Sequence, residues 1–281
     1  MVRLQKTLVE KISDAIGAAY RPTHVRRVAK AEADAALIAA ESEIRLNDLQ
    51  RRAMRRWLGE ESRKQENIET ITDQAIPLLD EGADASKVDD DWIVHFFDKT
   101  KVISDSEMQQ LWAKLLAGEV NQPGTFQKRT INIIADLDKS DAELFTSLCG
   151  FSTNSFQHTP LVFEVNQGFY FDHGLNLDKL IHLQSLGLIN VAQIGGYAMH
   201  QLPQTFIIEY FGRGIQLTLA GERKIDAGHV VLTQAGRQLQ KVVKPIPVDG
   251  FYEYLLSALA KQQGVTAGLH HNVTVSLGTP K

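Results

Sequence analysis

Leu4, Leu8, Ile12 and Ile16 recur every fourth position at the start of the chain, with Val9 and Tyr20 beside them, and this spacing predicts an amphipathic helix over about residues 2–19. Arg21-Pro22-Thr23 interrupts it, because proline cannot extend a helix but suits the first turn of the next one. From Thr23 to Glu61 the chain has no proline and no glycine before Gly59, and alanine, glutamate, arginine and leucine dominate. That composition predicts one long helix, on the order of 55–60 Å. Its segment VAKAEADAALIAA, residues 28–40, holds seven alanines. An alanine face buries little area but permits close approach, so a helix of this length needs another to lean on, from its own chain or a second copy. Glu32 and Glu43 fall near the stripe, which argues for helical packing without a regular coiled coil.

A further helix is predicted over residues 62–80, ending near Pro77, followed by an acidic connector. Asp89-Asp90-Asp91 precede Trp92; three acids there suit the positive end of a helix better than they suit a cation. Trp92, Ile93, Phe96 and Phe97 form one apolar stripe, and Met108, Leu111, Trp112, Leu115 and Leu116 form a second. Ser104 with Glu107, and Ser140 with Glu143, have capping-box spacing. Thr130, Ile133, Ile134 and Leu137 mark a third helix, and Leu144, Phe145 and Leu148 a fourth that carries the single cysteine, Cys149, as a buried thiol.

After Gly150 the period changes. Leu161–Val165 and Gly168–Phe171 read as short strands, and Asn176 caps a helix through Leu177, Leu180, Leu183 and Leu186 to Gly187. Leu188–Val191 and Tyr197–Leu202 read as a hairpin turning at Gly195-Gly196. Further strands fit Phe206–Phe211, Ile215–Leu219 and His229–Leu232, and Thr233 caps a helix to about Val243. A last amphipathic helix falls at about 250–262. The fold class is therefore α+β, with four stretches: long amphipathic helices at 1–80 for oligomerisation or partner contact, a compact helical domain at 81–150, a mixed α/β domain at 151–264 and a tail at 265–281.

The helix end Leu183-Gln184-Ser185-Leu186-Gly187-Leu188-Ile189, followed later by Leu232-Thr233-Gln234-Ala235-Gly236, resembles a winged-helix domain over roughly residues 138–244, with a strand-rich insertion at 191–230 longer than one wing requires. The helix in the recognition position offers only Lys179, His182 and Gln184, beside Asp178. That is a poor set for phosphates, so protein contact is favoured over nucleic acid.

Charge refines this picture. The net charge is −4, distributed as +3 over residues 1–70, −6 over 71–140 and −1 over 141–281. The strongest basic run is Arg51, Arg52, Arg55 and Arg56, which share one helix face and are candidates for nucleic-acid or other anion contact. A solvated face partly neutralised by Asp48, Glu60 and Glu61 is the simpler reading. Gln65, Glu66, Asn67 and Glu69 form a candidate polar interaction cluster, for which a solvent face or an interhelical hydrogen-bond network is the ordinary explanation.

Nucleophile elbows, phosphate loops, dinucleotide fingerprints and histidine pairs at metal spacing do not occur in the sequence, so no catalytic, cofactor or metal residue is assigned. No apolar run reaches the length of a membrane span and no signal-peptide core opens the chain, which leads to the expectation of a cytoplasmic protein.

Three segments carry a family resemblance: RKQENIETI at 63–71, DDDWIVHFFDKTKVISDSEMQQLWAKLLAGEVNQPGTFQKRT at 89–130, and LDKSDAELFTSLC at 137–149. Together they resemble the bacterial family called domain of unknown function 2806, which implies a bacterial protein and supplies no activity. The LWAKLLAGE helix at 111–119 is more loosely similar to abortive-infection alpha-type proteins, which implies a place in antiviral defence. The leading expectation is a non-enzymatic assembly protein, a homo-oligomer through its N-terminal helices that recognises a protein or ligand. A nucleic-acid-binding regulator using Arg51–Arg56 is the alternative, and an enzyme ranks third.

Overall fold

The computed structural model describes residues 7–12, 14, 48–155, 158–165, 168–192 and 194–270. They fall into two compact units, residues 1–135 and 136–281. The fold is α+β: helices build the first unit, and helices with all the described strands build the second.

In the first unit, residues 7–12 are helical and bury Leu8 and Ile12, as the four-residue spacing requires. The alanine-rich stretch 28–40 and the start of the expected long helix lie outside the described residues. Helix α1, Asp48–Ala75, runs for 28 residues straight through the expected break at 61/62. Neither Gly59 nor Ser62 stops it, because one glycine costs a helix only about 1 kcal/mol. The stop is Pro77, in a 3-10 turn over Ile76–Leu78.

Helix α2, Asp90–Thr100, starts from Asp89, whose carboxylate accepts from the Trp92 amide at 2.8 Å. The acid cluster therefore caps a helix. Helix α3, Ser106–Asn121, is capped by Asp105 rather than Ser104: its carboxylate accepts from the amides of Glu107 and Met108. A single carboxylate oxygen, Oδ1, on a short stem satisfies two orphan donors at once. Helix α4 follows at Lys128–Ala135. The predicted stripes meet in an aromatic core: Trp92 stacks on Phe96 with centroids 5.0 Å apart, and Phe96 meets fully buried Trp112 edge-on at 5.3 Å.

In the second unit, α5 spans Lys139–Cys149. Its capping box is formed by Asp138 and Asp141, not by Ser140 and Glu143; the helix begins two residues earlier than the serine requires. The strands expected at 161–165 and 168–171 do not form. The first supplies only one isolated bridge, Val162 to Gly228, just after that of Ser152 to Pro160, and the second is a single helical turn, α6, Phe169–Asp172. Its Tyr170 is fully buried, and its hydroxyl donates to the Leu161 carbonyl, so packing overrides the strand propensity of the aromatic run. Helix α7, Leu177–Ser185, is capped by Asn176 as expected.

The strands are β1 (Ile189–Val191), β2 (Tyr197–Met199), β3 (Thr205–Tyr210), β4 (Arg213–Leu219), β5 (Ile225–Gly228) and β6 (Val230–Leu232). β1 and β2 are not a hairpin. β1 pairs antiparallel with β6, β2 with β5 and β3 with β4, so the chain runs out along one arm and returns along the other. Gly195 and Gly196 accordingly lie in an outward loop between two ladder segments, both with positive φ, rather than reversing the chain. β5 was not predicted, because Glu222-Arg223-Lys224 before it and Asp226 within it hide the alternation. Helix α8, Gln234–Gln240, opens with Thr233 accepting from the Gly236 amide, and α9, Phe251–Ala260, is followed by β7, Val265–His270. The expected tail thus begins with a strand, which pairs with β4 in a three-stranded sheet β3-β4-β7. Val265 is buried there, and apolar burial on one face suffices for a strand that otherwise reads as glycine-containing tail.

The tip of this ribbon is fastened to its own unit. Buried Tyr210 donates through its hydroxyl to the Gly150 carbonyl at 2.9 Å and accepts from the Val248 amide at 2.6 Å. Arg213 reaches Glu253 at 2.6 Å and lies over the Tyr252 ring, 3.5 Å from its centroid.

Candidate functional site

Asn67 is the first buried residue of α1, so the nineteen positions from Asp48 to Glu66, about 28 Å of helix, are exposed or half-exposed. Within this stretch lie all four candidate arginines. Arg51, Arg52, Arg55 and Arg56 are exposed and span an arc of about 140°. Arg51 pairs with Asp48 at 3.0 Å and Arg56 with Glu60 at 3.6 Å. These are exposed intrahelical pairs, each worth a few tenths of a kcal/mol.

Next to the arginines is a feature that charge reading passes over. Leu49, Ala53 and Trp57 succeed one another at four-residue spacing, with Met54 beside them; Leu49 is 67 %, Trp57 59 % and Met54 41 % exposed. Arg52 and Arg56 border this stripe on one side. A large apolar stripe in solvent, rimmed by guanidiniums, has the composition of an interface centre. Periodicity could have found it: the 49–53–57 spacing is as regular as that of the buried helices, but the surrounding arginines drew the reading toward anions.

The polar cluster divides. Asn67 is buried, donates to the Lys101 carbonyl at 2.9 Å and accepts from Gln109 at 3.1 Å, while Gln109 also donates to the Ile103 carbonyl. Gln65 donates to Glu69 at 2.7 Å along α1, and Glu66 stays at the surface. Asn67 and Gln109 therefore satisfy the chain end of α2 and join α1 to α3. This is an internal network that links the two helices.

The polar side chains of α7 are engaged within the second unit. Lys179 donates to the Gly174 carbonyl, His182 Nε2 lies 2.7 Å from Asp141 Oδ1, and Gln184 accepts from the Val191 amide at 2.6 Å. Lys179 and His182 remain exposed, but each already has a partner within the unit, whereas a recognition helix keeps such groups for phosphates and base edges. Cys149 is fully buried, and loss of hydration pushes its thiol up to about 12, so the reactive thiolate is scarce near neutrality. The folded protein is expected to resist iodoacetamide at pH 8 and to react once unfolded in urea; prompt labelling without denaturant would contradict the burial.

Among the described residues, no group of three or more histidine, cysteine, aspartate or glutamate side chains could hold a metal ion, and no helix is long and apolar enough to cross a membrane.

A helical unit with an exposed amphipathic helix and a second unit of helices and strands define an architecture with no reaction centre among the described residues. The family described as "Protein of unknown function (DUF2806)" matches residues 51–256, and the chain belongs to that family. No curated protein and no solved structure matches it.

Proposed function

We propose that the protein is a non-enzymatic interaction protein that self-associates through the first half of α1, a second copy of the chain being the partner. The observation that carries this is the exposed Leu49–Ala53–Trp57 stripe. Two copies crossing in opposite directions at Ala53 set Leu49 of one against Trp57 of the other, with Arg52 and Arg56 at the rim.

Sedimentation equilibrium at micromolar concentration tests it. A dimer or larger assembly is expected, falling to monomer in the double variant Leu49→Glu, Trp57→Glu. Both side chains are exposed, so the variant retains its fold and helical circular dichroism. A wild-type monomer overturns the proposal. If instead the monomer binds duplex DNA with steep salt dependence, lost when Arg51, Arg52, Arg55 and Arg56 become glutamate, the basic face serves nucleic acid.

A further inference from the structure

The loop after α5, the ribbon tip and the end of α8 enclose a cavity of about 570 Å³ within the second unit, a size suited to a small organic ligand. Its lining brings Arg237, Lys241 and His158 together with Asn154, Gln240 and Phe211, and no carboxylate is among the described lining residues. The sequence behind this sign is uneven: from Ala227 to Val248 the chain carries Arg237, Lys241 and Lys244 and no acid. Arg237 and Lys241 are four residues apart at the end of α8, so they stand side by side. Arg237 is anchored through Nη1 to the Leu232 carbonyl at 2.7 Å, which fixes the guanidinium plane and leaves further donors on its fork. Gln240 is held by its bonds to Ser152 Oγ and the His158 carbonyl, fastening the loop to the helix.

Backbone strain is a second, independent mark. Tyr210 pairs with Arg213, so Phe211 and Gly212 form a two-residue hairpin turn with φ of 45° and 84°. Positive φ at both positions favours asparagine, aspartate or glycine, and a bulky ring at the first costs roughly 1–2 kcal/mol. The Phe211 ring recovers little of this by burial, being 43 % exposed at the cavity wall. His158, on the same lining, has φ 57°. Two of the four non-glycine residues with positive φ among the described residues thus line one cavity, and strain held at a pocket lining points to ligand contact.

We propose that this cavity binds a nucleoside monophosphate. Arg237, Lys241 and His158 take the phosphate, the Phe211 face stacks on the base, and the Asn154 amide, a donor and an acceptor together, meets the base edge. A phosphate alone would leave the aromatic wall unused, and a nucleoside alone would leave the cations without a counter-charge.

Isothermal titration of the full chain with AMP and GMP, against inorganic phosphate and adenosine, tests this. A micromolar Kd is expected for at least one nucleotide, with phosphate and adenosine each at least tenfold weaker. Lys241 is exposed, so Lys241→Glu retains the fold and weakens the nucleotide at least tenfold. Phe211→Asn suits the left-handed backbone, so it is expected to keep or raise Tm while weakening the nucleotide at least tenfold. Absence of heat with both nucleotides up to about millimolar concentration overturns the proposal. So does binding that neither variant changes, or a single-stranded oligonucleotide that binds the same residues more tightly than the mononucleotide.

Discussion

Gly236→Ala is expected to cost the second unit more than about 3 kcal/mol, measured as the shift in urea midpoint of the far-ultraviolet circular dichroism. A Cβ at this position would lie 2.0 Å from the Leu188 carbonyl oxygen and 3.1 Å from its carbon. The obstacle is backbone and cannot swing aside. The same oxygen accepts from the Thr233 amide and the Thr233 hydroxyl, both at 3.0 Å, so it is fixed by the cap that starts α8. Displacing α8 to make room would break that cap, separate α8 from β1 and shift the cationic wall of the cavity. Thr233→Ala, which loses the cap but adds no atom, is expected to cost only about 1 kcal/mol. An alanine at 236 as benign as the one at 233 would mean that α8 moves freely against the strand.

Glu119→Ala is expected to destabilise the first unit by about 3 kcal/mol, with Glu119→Gln nearer 1 kcal/mol. Glu119 is only 3 % exposed, and two backbone amides hold its carboxylate. Its two carboxylate oxygens accept from the Gly124 amide at 2.6 Å and the Phe126 amide at 2.8 Å, closing the turn between α3 and α4. The Phe126 carbonyl in turn accepts from Trp92 Nε1 at 2.7 Å, so the acid organises the loop that completes the aromatic core. Glutamine keeps one acceptor oxygen, whereas alanine strands both amides. Urea unfolding followed by tryptophan emission reads this directly, because Trp92 and Trp112 lie in the affected core. Equal midpoints for the alanine and glutamine variants would show that the two amides find other partners.

Apolar periodicity located the helices well and the strand partners poorly. Trp92 through Phe97 and Met108 through Leu116 announce their buried faces because a 3.6-residue period is a local property. Cap identity was harder: Asp105 and Asp138 compete with Ser104 and Ser140 one or two residues away, and only helix geometry decides between them. Strand pairing is non-local. Gly195-Gly196 looks like a hairpin turn in any window of ten residues, and what overrules it is β6, more than thirty residues further on. Of the candidate residues, the arginine face was legible as exposed, and Asn67 as one member of an interhelical network. The cavity was not legible, since its walls come from Cys149, Ser152 to Asn154 and His158, from Phe211, and from Arg237, Gln240, Lys241 and Pro245.

The nested pairing of the ribbon has a consequence for how the second unit forms. Tyr210 and Arg213 are three residues apart, Met199 and Ile225 twenty-six, and Ile189 and Leu232 forty-three. Taken alone, the outermost pair closes a long loop, but each inner pair shortens the span left to the next. Once β3 meets β4 and β2 meets β5, β1 and β6 are already neighbours, separated by little more than the 192–196 excursion. The ribbon can therefore zip from its tip toward its base, converting a high-contact-order topology into a succession of short closures. On that route the strained Phe211-Gly212 turn is the first element of the ribbon to form, so the position that holds an aromatic ring against its backbone preference is also where the ribbon starts.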